Sequence, residues 1–221
     1  ADFTIRGSIS LDTGGAPNGG EVWFIGDTNR NIVWSHTGNI GTIRIDMDTA
    51  SGTGGYTVPI ATGVSGTADI WPWPLIPDQA STTLRIRLKL ETDPTGLVED
   101  SSAANFEIRP KITIVKPTDT DQWPVGRTQT IEWTPTGTVD SVKIYYNPAG
   151  AGYSTPPGIV NPVTGTVCNV TNRCYNWALD PTTTRAANVK LKLEKFDNVN
   201  VVDEGPDLGD TFFSIVSSVN L

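Results

Sequence analysis

Phe106-Glu-Ile-Arg-Pro-Lys-Ile-Thr-Ile114 sets an alternating strand, a three-residue break and the start of a second strand end to end. The same phrase stands near the beginning as Phe3-Thr-Ile-Arg-Gly-Ser-Ile-Ser-Leu11, and at the end as Phe213-Ser-Ile-Val-Ser-Ser-Val-Asn-Leu221. The copies lie 103 and 107 residues apart. Self-similarity at a fixed period is the signature of a repeat array. The 221 residues therefore divide into two units, 1–109 and 110–221, each of ordinary domain size. Residues 1–7 resemble the closing strand of a preceding unit, and Val219 to Leu221 the opening strand of a following one. The expectation is two links of a longer array.

The interior of each unit repeats in the same order. Trp23-Phe-Ile-Gly26 answers to Trp123-Pro-Val-Gly126, and Val33-Trp34 to Glu132-Trp133. Ile43-Arg-Ile45 matches Val142-Lys-Ile144, and Gly55-Tyr-Thr-Val-Pro59 matches Gly152-Tyr-Ser-Thr-Pro156. Trp73 matches Trp177, and Leu84 to Leu88 matches Val189 to Leu193. In Leu84-Arg-Ile-Arg-Leu-Lys-Leu90 strict alternation puts four apolar residues on a buried face and three cations on an exposed one. No window carries a helical period with caps. About seven short strands per hundred residues, divided by Gly, Pro and Asn turns, read as a β-sandwich. The four tryptophans Trp34, Trp73, Trp133 and Trp177 are expected in the cores, to which each brings a large apolar area.

The run Ile112-Thr-Ile-Val-Lys-Pro117, Gln122-Trp-Pro-Val-Gly126, Thr130-Ile-Glu-Trp-Thr134 and Val142-Lys-Ile144, closed by Phe213 and Ile215, resembles a known pattern. It is similar to the immunoglobulin-like domain of fungal Ser/Thr-rich GPI-anchored proteins and yeast cell-wall glucan-synthesis proteins, a domain whose relatives occur in tandem in long bacterial surface proteins. The first unit matches through Glu21 to Gly26, Ile32 to Trp34 and Phe106 to Ile108. The resemblance implies an all-β protein of two tandem immunoglobulin-like (fibronectin III-like) β-sandwiches at a cell surface. It brings no catalytic residues with it. No Ser/Thr-rich stalk or lipidation tail accompanies it here.

A net charge of −8 argues against nucleic acid and anionic membranes, which select clustered Lys and Arg. No apolar run is long enough to span a bilayer. Cys168 and Cys174 are not spaced as a C-x-x-C site. They read as a disulfide made in an oxidising compartment, or as two unpaired small residues in a loop. Pro59 to Trp73 spans 14 residues but Pro156 to Trp177 spans 21, and the extra seven fall at the cysteines. A bond there would be a local staple on an insertion that only the second unit has.

Four groups could carry chemistry. His36 stands alone in a Ser-His-Thr-Gly turn and reads as a solvated loop residue. Asp46 and Asp48 share one strand face, as a glycosidase pair would, and also as residues of a solvent-facing strand edge would. Asp197, Asp203, Glu204, Asp207 and Asp210, with Glu99 and Asp100 in the equivalent loop, offer the oxygens calcium takes, though no calcium-loop spacing is met. The alternative is a charged hairpin loop with no cofactor. Trp71, in Trp71-Pro-Trp-Pro74, could stack on a sugar ring, and Asn169-Val-Thr171 is an N-glycosylation sequon that matters in a eukaryotic secretory host.

The expected function is a non-enzymatic spacer of an extracellular array or surface filament, with neighbouring copies of the repeat as partners. The alternative is a module for cell-wall or surface polysaccharide, with calcium as a stabilising ion. At the junction, Pro110 fixes its own φ and biases Arg109 to extended geometry, which implies a short, stiff link and an elongated molecule. The N-terminal strand carries an apolar face and is expected to pair with a neighbouring copy. Deleting Ala1 to Gly7 should leave both units folded and weaken end-to-end association in a sedimentation series. Undiminished association would refute it.

Overall fold

A computed structural model describes residues 6–11, 17–148, 152–196 and 212–218. The chain splits into two compact units, Ala1–Arg109 and Pro110–Leu221. Phe3, Ile5 and Val219 to Leu221, on which the array ends were read, lie outside the described residues.

The first unit runs β1 (Ser8–Leu11), β2 (Val22–Phe24), β3 (Arg30–Thr37), β4 (Thr42–Asp48), β5 (Val58–Ser65), β6 (Ile70–Trp73), β7 (Ser81–Leu90), β8 (Glu99–Ser101) and β9 (Phe106–Arg109). One sheet has the order β1-β3-β6, and the other β2-β9-β7-β4-β5 with β8 folded back on β7. The opening segment is thus shared. β1 joins one sheet antiparallel to β3, and β2 crosses to the other and lies parallel to β9. That crossing and the two facing sheets make the unit an immunoglobulin-like sandwich. Its core is built by alternation: Ile43, Ile45 and Met47 on β4 and Leu84, Ile86 and Leu88 on β7 face Ile9, Leu11, Ile32 and Trp34 on the other sheet.

The second unit runs β10 (Lys111–Lys116), β11 (Gln122–Pro124), β12 (Thr128–Thr136), β13 (Val142–Pro148), β14 (Thr166–Val167), β15 (Arg173–Ala178), β16 (Ala186–Lys195) and β17 (Phe213–Val216). Its sheets are β10-β12-β15-β14 and β11-β17-β16-β13, again with one parallel pair, β11 on β17. The chain is therefore all-β with two immunoglobulin-like sandwiches. Among the described residues the one helical element is a 3-10 turn, Gly66–Ala68.

Each core holds the same three rings. Trp23 lies 5.9 Å from Trp73 and 5.6 Å from Phe106, measured between centroids. Trp123 lies 6.2 Å from Trp177 and 4.8 Å from Phe213. Trp34 and Trp133 are also buried, on β3 and β12. Buried indole donors are satisfied by loop carbonyls: Trp34 Nε1 donates to Gly66 O at 2.8 Å, and Trp177 Nε1 to Pro157 O at 2.8 Å.

The units differ at their sheet edges. The seven extra residues of the second unit supply β14, an added edge strand paired with β15 through Thr166↔Cys174 and Val167↔Arg173. Cys168 and Cys174 are joined across its turn, with Cα atoms 5.7 Å apart. At the other sheet, β5 covers β4 in unit one, whereas β13 is met by isolated bridges Val142↔Val163 and Tyr146↔Ser154. Between these bridges the Asn161 amide fills the ladder. Ile144 N donates to its Oδ1 at 2.8 Å, and its Nδ2 donates to Ile144 O at 2.9 Å. One side chain thus stands in for a strand residue, because a backbone N–H and C=O left unpaired there would lose both partners. Replacing Asn161 by Ala is expected to destabilise the second unit by about 1–2 kcal/mol and to leave the first unit's urea transition unmoved.

Candidate functional site

The chemistry lies on the outer faces of β4 and β7, and of β13 and β16. In the first unit Asp46 stands across from Arg87, Arg44 from Lys89, and Asp48 from Arg85. The alternation that buries Leu84, Ile86 and Leu88 sends these cations outward, but they are half-buried and not open to solvent. Asp46 Oδ1 accepts from Arg44 Nη2 at 2.7 Å and its Oδ2 from Arg87 Nη2 at 3.3 Å. Asp48 accepts from Ala50 N at 2.6 Å and Gly54 N at 2.7 Å. Both aspartates are buried, which corrects the solvent-facing edge expected for them. The physical reason is that β4 is an inner strand and the turn after it folds back. A Cβ at Gly54 would stand 2.6 Å from Asp48 Oδ1, so the turn closes only with glycine there. Tyr56, with φ of 54°, lays its ring 4.8 Å from the Arg87 guanidinium.

The second unit repeats this face with different chemistry. Tyr145 stands across from Lys192, Lys143 from Glu194, and Asn147 from Lys190. Tyr145 takes the place of Asp46. Lys192 Nζ lies 5.1 Å from the centroids of both Tyr145 and Tyr153, where Tyr153 answers to Tyr56. Lys190 lies 4.6 Å from the Phe212 ring and Lys143 5.1 Å from Phe196. Lys192 also pairs with Glu194. Sequence reasoning missed this face. The signal was present in the matched Gly-Tyr turns and in the cations at alternate positions of β7 and β16, but stacking between them is a long-range contact.

The other candidates fall elsewhere. His36 is on β3, not in a turn, and its Nδ1 meets Asp69 Oδ1 at 2.6 Å. Trp71 is half-buried and packed against the first core, 6.3 Å from Trp73, on the side of β6 away from Ile70 and Pro72. Asn169 is exposed in the disulfide-closed turn. Its Oδ1 accepts from Thr171 N at 2.9 Å and Asn172 N at 2.8 Å, so the sequon amide shapes the turn while Val170 stands 98% exposed. Glu132, Cys168 and Cys174 lie close enough to share a metal, but the two sulfurs are bonded to each other. Asp197, Asp203, Glu204, Asp207 and Asp210 lie outside the described residues. Of their counterparts, Glu99 pairs with Lys89 at 3.6 Å and Asp100 Oδ2 accepts from Leu11 N at 2.8 Å.

Asp93 anchors the loop between β7 and β8. The Thr95 hydroxyl, foremost, and the N–H groups of Thr95, Val98 and Leu97 donate to its carboxylate and hold it well below the usual carboxylate range, against a smaller opposing effect of burial. Arg6 adds an ion pair at 3.2 Å.

No family model matches the chain. No curated protein matches it either. The resemblance to the fungal cell-wall family thus has no support beyond an immunoglobulin-like fold. Among solved structures, the fibronectin(III)-like modules of Clostridium thermocellum CbhA align at 12% identity over 95% of this chain and 93% of theirs, with a TM-score of 0.28. The insect immune protein hemolin aligns at 11% identity over 100% of this chain and 49% of its own, with a TM-score of 0.41. Rst D1-D2 aligns at 10% identity over 96% and 100%, with a TM-score of 0.34. Among the described residues no helix is long and apolar enough to cross a membrane.

A carboxylate whose folded pKa is depressed contributes stability that is complete above its unfolded value, about 3.9, and is lost as pH falls through the folded one. The stability gap between the native chain and Asp93→Asn is therefore expected to be widest at pH 7 and to narrow below about pH 4. Urea melts of the first unit at pH 7 and pH 3 check it.

Proposed function

We propose that the chain is a non-enzymatic structural module, two links of an extracellular repeat array or surface filament whose partners are further copies of the repeat. The observation that carries this reading is the parallel pair in each unit, β2 on β9 and β11 on β17. The first of each pair lies near the unit's entry and the second at its exit. A pull on the two ends draws these parallel neighbours in opposite directions, so their hydrogen bonds resist together rather than opening one by one. In the sequence only Pro110 separates β9 from β10. The disulfide fits an oxidising compartment outside the cytoplasm.

A second reading, a module for surface polysaccharide, is favoured by the ring-and-lysine face of β13 and β16 and not by the half-buried Trp71.

Single-molecule stretching by the two ends tests the structural reading. Each unit is expected to open in one step that releases about 35 nm of chain. Ile25 N donates to Arg109 O at 2.8 Å, continuing the parallel pair. Ile25→Pro should lower the rupture force of the first unit more than Met47→Ala does, at matched loss of equilibrium stability. Equal effects of the two substitutions would count against it.

A further inference from the structure

We propose that Cys168, Cys174 and Glu132 form a redox-gated site for a thiophilic divalent cation of the zinc class, closed while the cysteines are bonded and opened by a reducing dithiol. The register brings these groups together. Glu132 on β12 stands across from Cys174 on β15, and Cys168 follows β14, which pairs with the other side of β15. One donor atom from each of the three lies within 4.8 Å of the others. The cysteine Cα atoms are 5.7 Å apart, close enough for two thiolates to turn onto one ion with bonds of about 2.3 Å. Two sulfurs and a carboxylate leave a fourth tetrahedral position for water. Thiolates select zinc-like ions over calcium and magnesium. The first unit has neither part of the site: Val33 stands where the second has Glu132, and the cysteine insertion is absent.

The surroundings hold the site after the sulfur bond is cut. Cys168 N donates to Asn172 O at 3.2 Å, Thr134 Oγ1 donates to Asn172 Oδ1 at 2.8 Å, and Asn169 Oδ1 accepts from two backbone N–H groups of the turn. The Asn172 amide donates to Glu132 Oε1 at 2.5 Å and orients the carboxylate, as outer partners of metal ligands do. Lys116 Nζ lies 3.9 Å from Glu132 Oε2, and its 56% exposed side chain yields to a cation at little cost. Cys168 is exposed and Cys174 is buried, so a dithiol attacks the Cys168 sulfur. That forms a mixed disulfide and frees Cys174. The reductant's second thiol then closes its own disulfide and frees Cys168. The protein gains two electrons and two protons, and the cation displaces both protons on binding.

The test titrates cobalt(II) into the whole chain, either oxidised or reduced under argon with a phosphine that leaves as its oxide. The reduced chain is expected to take up one cobalt, with thiolate-to-cobalt absorption in the near ultraviolet and the visible bands of a tetrahedral ion. Zinc should displace the cobalt and calcium should not. The oxidised chain should give no such bands. Glu132→Gln should weaken binding about tenfold or more while keeping the thiolate bands. Cys168→Ser should abolish them. Alkylation of the unaltered reduced chain gives a readout independent of variant folding: zinc should slow the modification of Cys168 and Cys174 together. A reduced chain without the cobalt bands, or alkylated at the same rate with and without zinc, would overturn the proposal. Equal cobalt uptake by the oxidised chain, or unchanged affinity in Glu132→Gln, would overturn it as well.

Discussion

Three aromatic rings hold each unit together at its parallel strand pair. Trp23 and Phe106, and likewise Trp123 and Phe213, sit on the two strands of the parallel pair, while Trp73 and Trp177 come from the opposite sheet. Parallel pairing of three residues is too short to persist by hydrogen bonding alone. Burial of three large rings in tilted and edge contact supplies what the ladder lacks. The fold and the proposed mechanical role thus rest on the same contacts.

Outside this core the two units solve one problem in two ways. β7 and β16 each turn cations outward, and a turn after the preceding strand folds a tyrosine over the second of them, Arg87 or Lys192. A half-buried cation needs a counter-charge or a polarisable face, because removal from water otherwise costs several kcal/mol. The first unit supplies the buried acid Asp46, shared by Arg44 and Arg87. The second supplies rings and the acid Glu194, which pairs with Lys192. A ring compensates a cation only in part, at about 0.5–2 kcal/mol per contact.

Much of this was legible in the sequence. Alternation over Leu84 to Leu90, the recurring Phe-x-Ile and the tryptophan spacings lead to all-β sandwiches and to the core indoles, because strand period and ring burial are local properties of residue type. The parallel crossing of β2 was not legible, since nothing in Val22-Trp-Phe24 says which sheet receives it. Asp46 and Asp48 were misread as solvent-facing because a strand's rank within its sheet, inner or edge, is fixed by residues far along the chain. His36 was read as a turn residue because Ser-His-Thr-Gly is rich in turn formers, yet pairing with β1 extends β3 through Thr37. The ring-and-lysine face is long-range in the same way: Lys143 meets Phe196, and Lys190 meets Phe212.

The edges show how a sandwich of this kind stays discrete while repeated in tandem. Open strands in a repeated protein pair with copies of themselves unless something blocks them. In the first unit Pro59 lies within the edge strand β5, and the pairing of β5 with β4 shifts register near Ile45, so the edge is interrupted twice. In the second unit, among the described residues, β13 has no such edge strand beside it, and Asn161 satisfies Ile144 where a neighbour would dock. At the other sheet β14 adds two residues and then turns through a disulfide, which ends the ladder. Three unlike devices serve one requirement. Each closes a hydrogen-bonding edge with side-chain or covalent chemistry.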